Sequence, residues 1–203
     1  MAFSSARLII AALVLLPIVT ACAGTARSPE PASPRTAARY PHTDADVRFM
    51  SAMIGHHAQA LIMAGWAATN GASPAVRRLA ERITNGQQDE IATMQRWLRD
   101  RGLPPPEGQH QRHGHLMPGM LTAAQMKQLA DATGLEFDRL FLTSMIQHHR
   151  GAVAMVKQLF GTQGAAQDET VFKFADDVGV DQSTEIARME RMLSELPAGE
   201  PSS

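Results

Sequence analysis

From residue 44 to residue 196 the apolar positions recur at the three- and four-residue spacing of amphipathic helices, and no strand-like alternation interrupts them. Residues 44–69 carry Met50, Met53, Ile54, Ala60, Leu61 and Ala64 on one face, with Thr43 or Asp44 able to cap the start and Asn70-Gly71 to stop it. Ser73-Pro74 opens a second helix, a cap followed by a proline in the first turn. Val76, Leu79, Ile83, Ile91, Met94, Trp97 and Leu98 line it as far as Gly102, and Pro104, Pro105 and Pro106 follow. A short helix is predicted over residues 122–132, capped by Thr122 and closed by Gly134. Residues 135–160 are helical again, residues 161–167 form a turn rich in Gly and Ala, and residues 168–196 make a last helix stopped by Pro197.

The two halves are copies of one unit. Met53-Ile54-Gly55-His56-His57 returns as Met145-Ile146-Gln147-His148-His149, and Met63 and Met155 stand at the same distance past the second histidine of each copy. Asp46 and Phe49 match Asp138 and Phe141. Gln87, Glu90-Ile91-Ala92, Met94 and Leu98 match Gln182, Glu185-Ile186-Ala187, Met189 and Leu193. Two repeated helical hairpins that cannot bury their faces alone predict an all-α, four-helix bundle. Repeat one spans residues 43–102, a linker 103–121, the short connecting helix 122–132 and repeat two 135–197.

What precedes the bundle reads as an address and a tether. Arg7 and the apolar run 8–19, broken by Pro17 and too short for an ordinary membrane span, look like a signal peptide over residues 1–22. Val19-Thr20-Ala21-Cys22 resembles a bacterial lipobox, in which Cys22 is acylated and becomes the mature N-terminus. The alternative is an ordinary secretory peptide cut at Ala21 or Ala23. Residues 23–42, rich in Pro, Ala, Ser and Thr, cannot bury enough apolar surface to fold and are expected to be a disordered tether. The expected place is the extracytoplasmic side of the cell membrane, held there by lipid alone. Cys22 is the only cysteine, so no disulfide framework supports the fold. With 19 Lys and Arg against 20 Asp and Glu, the chain has no basic excess for nucleic acid.

The candidate chemistry lies on the helices' inner faces. His57 and His149 fall on the apolar seam, and His56 and His148, about 100° further round, fall nearer its edge. Met53 and Met63 accompany the first pair, and Met145 and Met155 the second. The partner helices bring Gln87, Glu90, Gln182 and Glu185 behind them. In the linker His110, His113, His115, Met117 and Met120 gather beside glycines, a composition that reads as metal capture. Imidazole and thioether together are the ligands that soft, monovalent copper prefers. The other reading is a buried polar network in which the imidazoles hydrogen-bond to the glutamines and glutamates, with methionine as adaptable filler. A di-iron oxidase is disfavoured because no predicted bundle helix carries a Glu-x-x-His, the run Glu107 to His110 lying in the linker, and a zinc hydrolase because no His-Glu-x-x-His occurs. No nucleophile sits with a base, and no enzymatic step is expected.

Phe137-Asp138-Arg139, Phe141-Leu142, Met145-Ile146, His148-His149, Gly151-Ala152 and Met155, preceded by Gly119-Met120, Thr122, Met126 and Leu129, resemble the signature of the bacterial domain-of-unknown-function family 305. The run from Phe49 to Met63 is its weaker twin, and the resemblance covers nearly all of residues 43–195. It implies a ferritin-like four-helix bundle in secreted or lipid-anchored bacterial proteins, some of them linked to copper binding and tolerance. Carried over, it singles out His56, His57, His148 and His149 with Met53, Met63, Met145 and Met155. The first copy departs from the second at Gly55 and Ala58-Gln59, where the second has Gln147 and Arg150-Gly151. The expected function is copper buffering, scavenging or delivery at the cell surface. The alternative is an envelope interaction module with a protein partner that the residues do not name.

Replacing Cys22 with Ser is expected to release the protein from the membrane fraction or block its processing. Fractionation and the mass of the mature chain check this; an unchanged fraction and mass would refute lipidation.

Overall fold

The computed structural model describes residues 41–106 and 117–197. Cys22, the signal peptide, nearly all of the tether, and His110, His113 and His115 lie outside the described residues. The elements in order are α1 (Asp44–Gly65) with a 3₁₀ turn at Trp66–Ala68, α2 (Pro74–Asp100), the short α3 (Ala123–Asp131), α4 (Gly134–Gly161) and α5 (Glu169–Glu195). Among the described residues there is no strand, and no helix is long and apolar enough to cross a membrane.

Local chemistry accounts for the boundaries. Thr43 and Asp46 form a reciprocal capping box at α1, and Thr122 and Gln125 form another at α3. Ser73 caps α2 ahead of Pro74, and Asp168 caps α5 by accepting from the N–H groups of Thr170 and Val171. Two boundaries differ from the sequence pattern. The α-helix ends at Gly65 rather than residue 69, because the N–H groups of Thr69 and Asn70 both turn back to the Trp66 carbonyl and tighten the last turn. Asn70 is thereby freed to donate its side-chain amide to the carbonyls of Ala130 and Ala132, at 2.8 and 2.9 Å. Gly134 then opens α4 instead of closing α3: its φ is +58°, and its N–H reaches the Asn70 carbonyl at 2.8 Å.

Each hairpin packs on itself, α1 against α2 and α4 against α5, and the two hairpins meet through α1 and α4. These central helices run antiparallel. Phe49, Met50 and Met53 of α1 share one apolar cluster with Ala152, Met155 and Val156 of α4, while Ala60 and Met63 share another with Phe141, Leu142 and Met145. The first hairpin turns through the 3₁₀ segment and residues 69–73, the second through residues 162–168.

The repeated aspartates clamp the hairpins together. Asp46 on α1 accepts from the N–H of Ala166, in the turn of the other hairpin, at 2.7 Å. Asp138 on α4 accepts from the N–H of Ser73, in the turn of the first, at 3.1 Å. Both carboxylates are buried, and each holds a turn that apolar packing alone would leave free to slide. Ala166 sits at φ 54°, a left-handed conformation that the Asp46 contact helps to hold. At the same end Trp97 donates to Asp168 at 3.1 Å, and Arg101 both stacks on the Trp97 ring and pairs with Asp168.

Asp46→Ala and Asp138→Ala are each expected to cost about 1–3 kcal/mol, from the unsatisfied buried N–H left behind. Asp46→Ala should cost the more, since it also removes half of the α1 capping box. Urea denaturation of the two variants measures both.

Candidate metal centre

Midway along α1 and α4 the histidines form a belt with no exposed surface: His56, His57, His148 and His149 are each 0% accessible. His56 and His148 face each other across the α1–α4 contact, ring centroids 3.9 Å apart. They are therefore central, not at the edge as the helical pattern implied. The face 100° round from the seam is covered because the second hairpin packs there. His57 and His149 point outward to the flanking helices, where His57 Nε2 meets Glu90 Oε2 at 2.5 Å and His149 Nε2 meets Glu185 Oε2 at 2.8 Å.

The partners of the inner pair set their tautomers. His148 Nε2 lies 3.0 Å from the carbonyl oxygen of His56, and His56 Nε2 lies 3.0 Å from that of Pro118. A carbonyl only accepts, so Nε2 carries the proton in both rings and the lone pair is on Nδ1. The Glu90 and Glu185 carboxylates accept from Nε2 of the outer pair in the same way. All four Nδ1 atoms are buried and have no hydrogen-bond partner. Burial, reinforced by the neighbouring imidazoles, lowers the His56 pKa to about 3 and takes that of His148 well below its ordinary value. The inner rings are thus neutral bases whose lone pairs face the interior. A histidine that donates one ring N–H to a carboxylate or carbonyl and keeps the other nitrogen bare has the arrangement of a metal ligand. Gln87 and Gln182, expected to bond to the imidazoles, do not: Gln87 Nε2, Gln87 Oε1 and Gln182 Oε1 have no partner.

The methionines fall on either side of this belt. Met53 and Met155 lie in one apolar cluster with Met94, and Met145 and Met63 lie in the other with Met189. The two sets correspond under the sequence repeat, each drawing on both hairpins. Met94 and Met189, fully buried, were legible as repeated positions but not as members of these sets, since only the fold shows which helix ends come together. Among the described residues no three His, Cys, Asp or Glu side chains could hold a metal ion between them. An ion taken by the belt would complete its ligand set from the thioethers.

The end of the linker, residues 117–121, is a strap across the belt. Besides the Pro118 carbonyl on His56, Gln59 pairs both ways with the backbone of Leu121, at 3.0 and 2.8 Å, and Gln147 donates to the Gly119 carbonyl at 3.3 Å. The strap touches the α4 backbone at Gly151, where an added Cβ would lie 1.9 Å from the Pro118 oxygen. Of the linker methionines, Met120 is buried and Met117 lies against Met155, the two lining a surface pocket of about 260 Å³.

Residues 46–193 match the family described as Domain of unknown function (DUF305). The chain belongs to the DUF305 family. A DUF305 fragment from Deinococcus radiodurans is 33% identical at a TM-score of 0.67, over 77% of this chain and 99% of its own. A DUF305 protein from Streptomyces coelicolor is 31% identical at a TM-score of 0.67, over 78% and 98%. CopM in its Cu(I)-bound form is 29% identical at a TM-score of 0.60, over 75% of this DUF305 chain and 98% of its own; its Cu(II)-, Ag-bound and apo forms also match. No curated protein matches.

The buried rings carry a pH signature. Unfolded histidine titrates near pH 6.5, whereas folded His56 stays neutral down to about pH 3. Their contribution is complete above the unfolded value and is lost as the unfolded chain takes up protons below it. Stability of the metal-free domain, from urea melts, should fall on acidification from about pH 7 to about pH 4. A His56→Gln, His148→Gln double variant should show a shallower fall.

Proposed function

We propose that this protein binds monovalent copper within the bundle, as an exported, lipid-anchored buffer, scavenger or delivery protein with no catalytic step. The observation that carries the reading is the set of four buried Nδ1 atoms without partners. An unsatisfied polar atom in a core is costly, and a bound cation satisfies a bare imidazole nitrogen in the way a hydrogen-bond donor does. His56, His57, His148 and His149 would supply nitrogen, and Met53, Met63, Met145 and Met155, joined by Met94 and Met189, would supply sulfur. Thioether sulfur is a poor ligand for calcium or magnesium and a good one for monovalent copper. The copper- and silver-bound forms of CopM support the choice of metal. Met117, beside Met155, ties the linker to one of the two methionine sets. The pairs His57–Glu90 and His149–Glu185 favour the second reading, a polar core that only fixes the register of the hairpins.

A soluble form beginning at Ala23, with the leader removed, separates the two. Under reducing conditions it is expected to take copper from a competing chelator more tightly than it takes zinc. Met53→Leu with Met155→Leu, which nearly conserves volume, should weaken copper by about tenfold or more, roughly 1.4 kcal/mol, with little change in melting temperature. Full affinity after Met53, Met63, Met94, Met145, Met155 and Met189 are all changed to leucine would rule out coordination by these thioethers. If the unaltered protein binds no copper, the polar core is its whole role.

A further inference from the structure

The histidine belt has no exposed surface, so a cation bound for it must cross a wall of the bundle. We propose that metal cations reach the belt through the groove between α2 and α5, and that Glu90 and Glu185 are the last groups they touch on the way in. The proposal rests on the metal-binding reading above and adds the route.

The groove is one continuous trough. A pocket of about 430 Å³ and another of about 540 Å³ share Gly86, Glu90 and Asp181 as lining. Residues 82–90 of α2 face 181–191 of α5 in the first, and residues 86–93 face 169–181 in the second, so the two helices run antiparallel along it. The Nε2 atoms of the belt meet two backbone carbonyls and two carboxylates. Both carboxylates reach solvent, with Glu90 21% and Glu185 19% exposed, and both line the groove, whereas Pro118, exposed on the strap, offers a backbone carbonyl without charge. The floor is polar without being satisfied. Gln87 and Gln182 are each 3% exposed, line the same pocket, and leave amide atoms without a hydrogen-bond partner. Apolar side chains would seal such a floor; bare amides beside a polar space suit a hydrated passage.

Charge gives the trough a direction. Asp89, Glu90, Asp177 and Asp181 crowd the end toward the start of α5, where Lys173 is already paired with Asp177. Arg188 and Arg191 stand at the other end, and Arg82 pairs there with Glu185 at 3.5 Å. An acidic cleft concentrates cations and raises their rate of arrival. It does not store them: no three of these carboxylates and histidines could hold an ion together, and oxygen holds a soft cation weakly. On the opposite side the strap lies over the belt, and Gly119 and Gly151 bring two backbones into contact beneath a surface pocket of about 650 Å³.

Gly86 provides the test. It lines both pockets, and a Cβ added there meets nothing within 4 Å, so Gly86→Leu fills the trough and favours the helix. Asp181→Lys reverses the charge at the mouth without touching the belt. Silver nitrate is mixed with each protein by stopped flow, uptake is followed by near-ultraviolet absorbance, and affinity is measured by calorimetry. Both variants are expected to take up and release silver about tenfold more slowly at unchanged affinity. Wild-type uptake should slow in about 1 M sodium nitrate, where the Debye length is about 3 Å. Wild-type rates in both variants overturn the route. So does slowing by Met117→Leu alone, which would put the passage beside the strap, and so does a loss of affinity through faster release with uptake unchanged. If the wild-type protein binds no silver, the route falls together with the metal-binding reading, an outcome distinct from full binding at unaltered rates.

Discussion

Four imidazoles stand at the centre of a helical bundle, out of reach of solvent, and each must put its ring N–H somewhere. The inner pair uses backbone carbonyls and the outer pair uses glutamates from the flanking helices. These contacts require α1 and α4 to cross at one register, with α2 and α5 each turned to bring a carboxylate inward. The crossed aspartate clamps meet that requirement from the ends: Asp46 and Asp138 each hold the turn of the opposite hairpin. Sliding one hairpin by a helical turn would break both clamps and strand the inner rings.

The contacts of the two hairpins correspond, Asp46 with Asp138 and His57–Glu90 with His149–Glu185, and at the belt that correspondence is broken by the strap. His148 donates to the His56 carbonyl, but His56 donates to Pro118, because the strap lies over only one of the two equivalent positions. Two differences between the repeated motifs at this place serve the strap, while Arg150, in place of Ala58, pairs with Glu190. Gly151 lets it touch the helix, where the matching Gln59 instead pairs with its backbone. Gln147 binds the Gly119 carbonyl, where the matching Gly55 leaves room beside Met117. One methionine set consequently has the linker's Met117 packed against its cluster.

Rings that donate from Nε2 and keep Nδ1 bare have the orientation that metal-ligating histidines take. With methionines from both hairpins on either side of the belt, the donor set is soft. Membership in DUF305 fixes the fold and leaves the activity to be argued from these atoms.

Much of this was legible in the chain. Helical periodicity, caps such as Ser73-Pro74 and the repeated His-His word were enough to establish an all-helical pair of hairpins, because these signals are local and recur. The His57–Glu90 and His149–Glu185 pairs were also within reach, since seam positions on paired helices face each other. The burial of His56 and His148, the pairing of Met63 with Met145 and of Met53 with Met155, the cross-hairpin role of Asp46 and Asp138, and the docking of residues 117–121 were not. Each depends on which face of one hairpin meets the other, a long-range choice made by packing that leaves no period in the sequence.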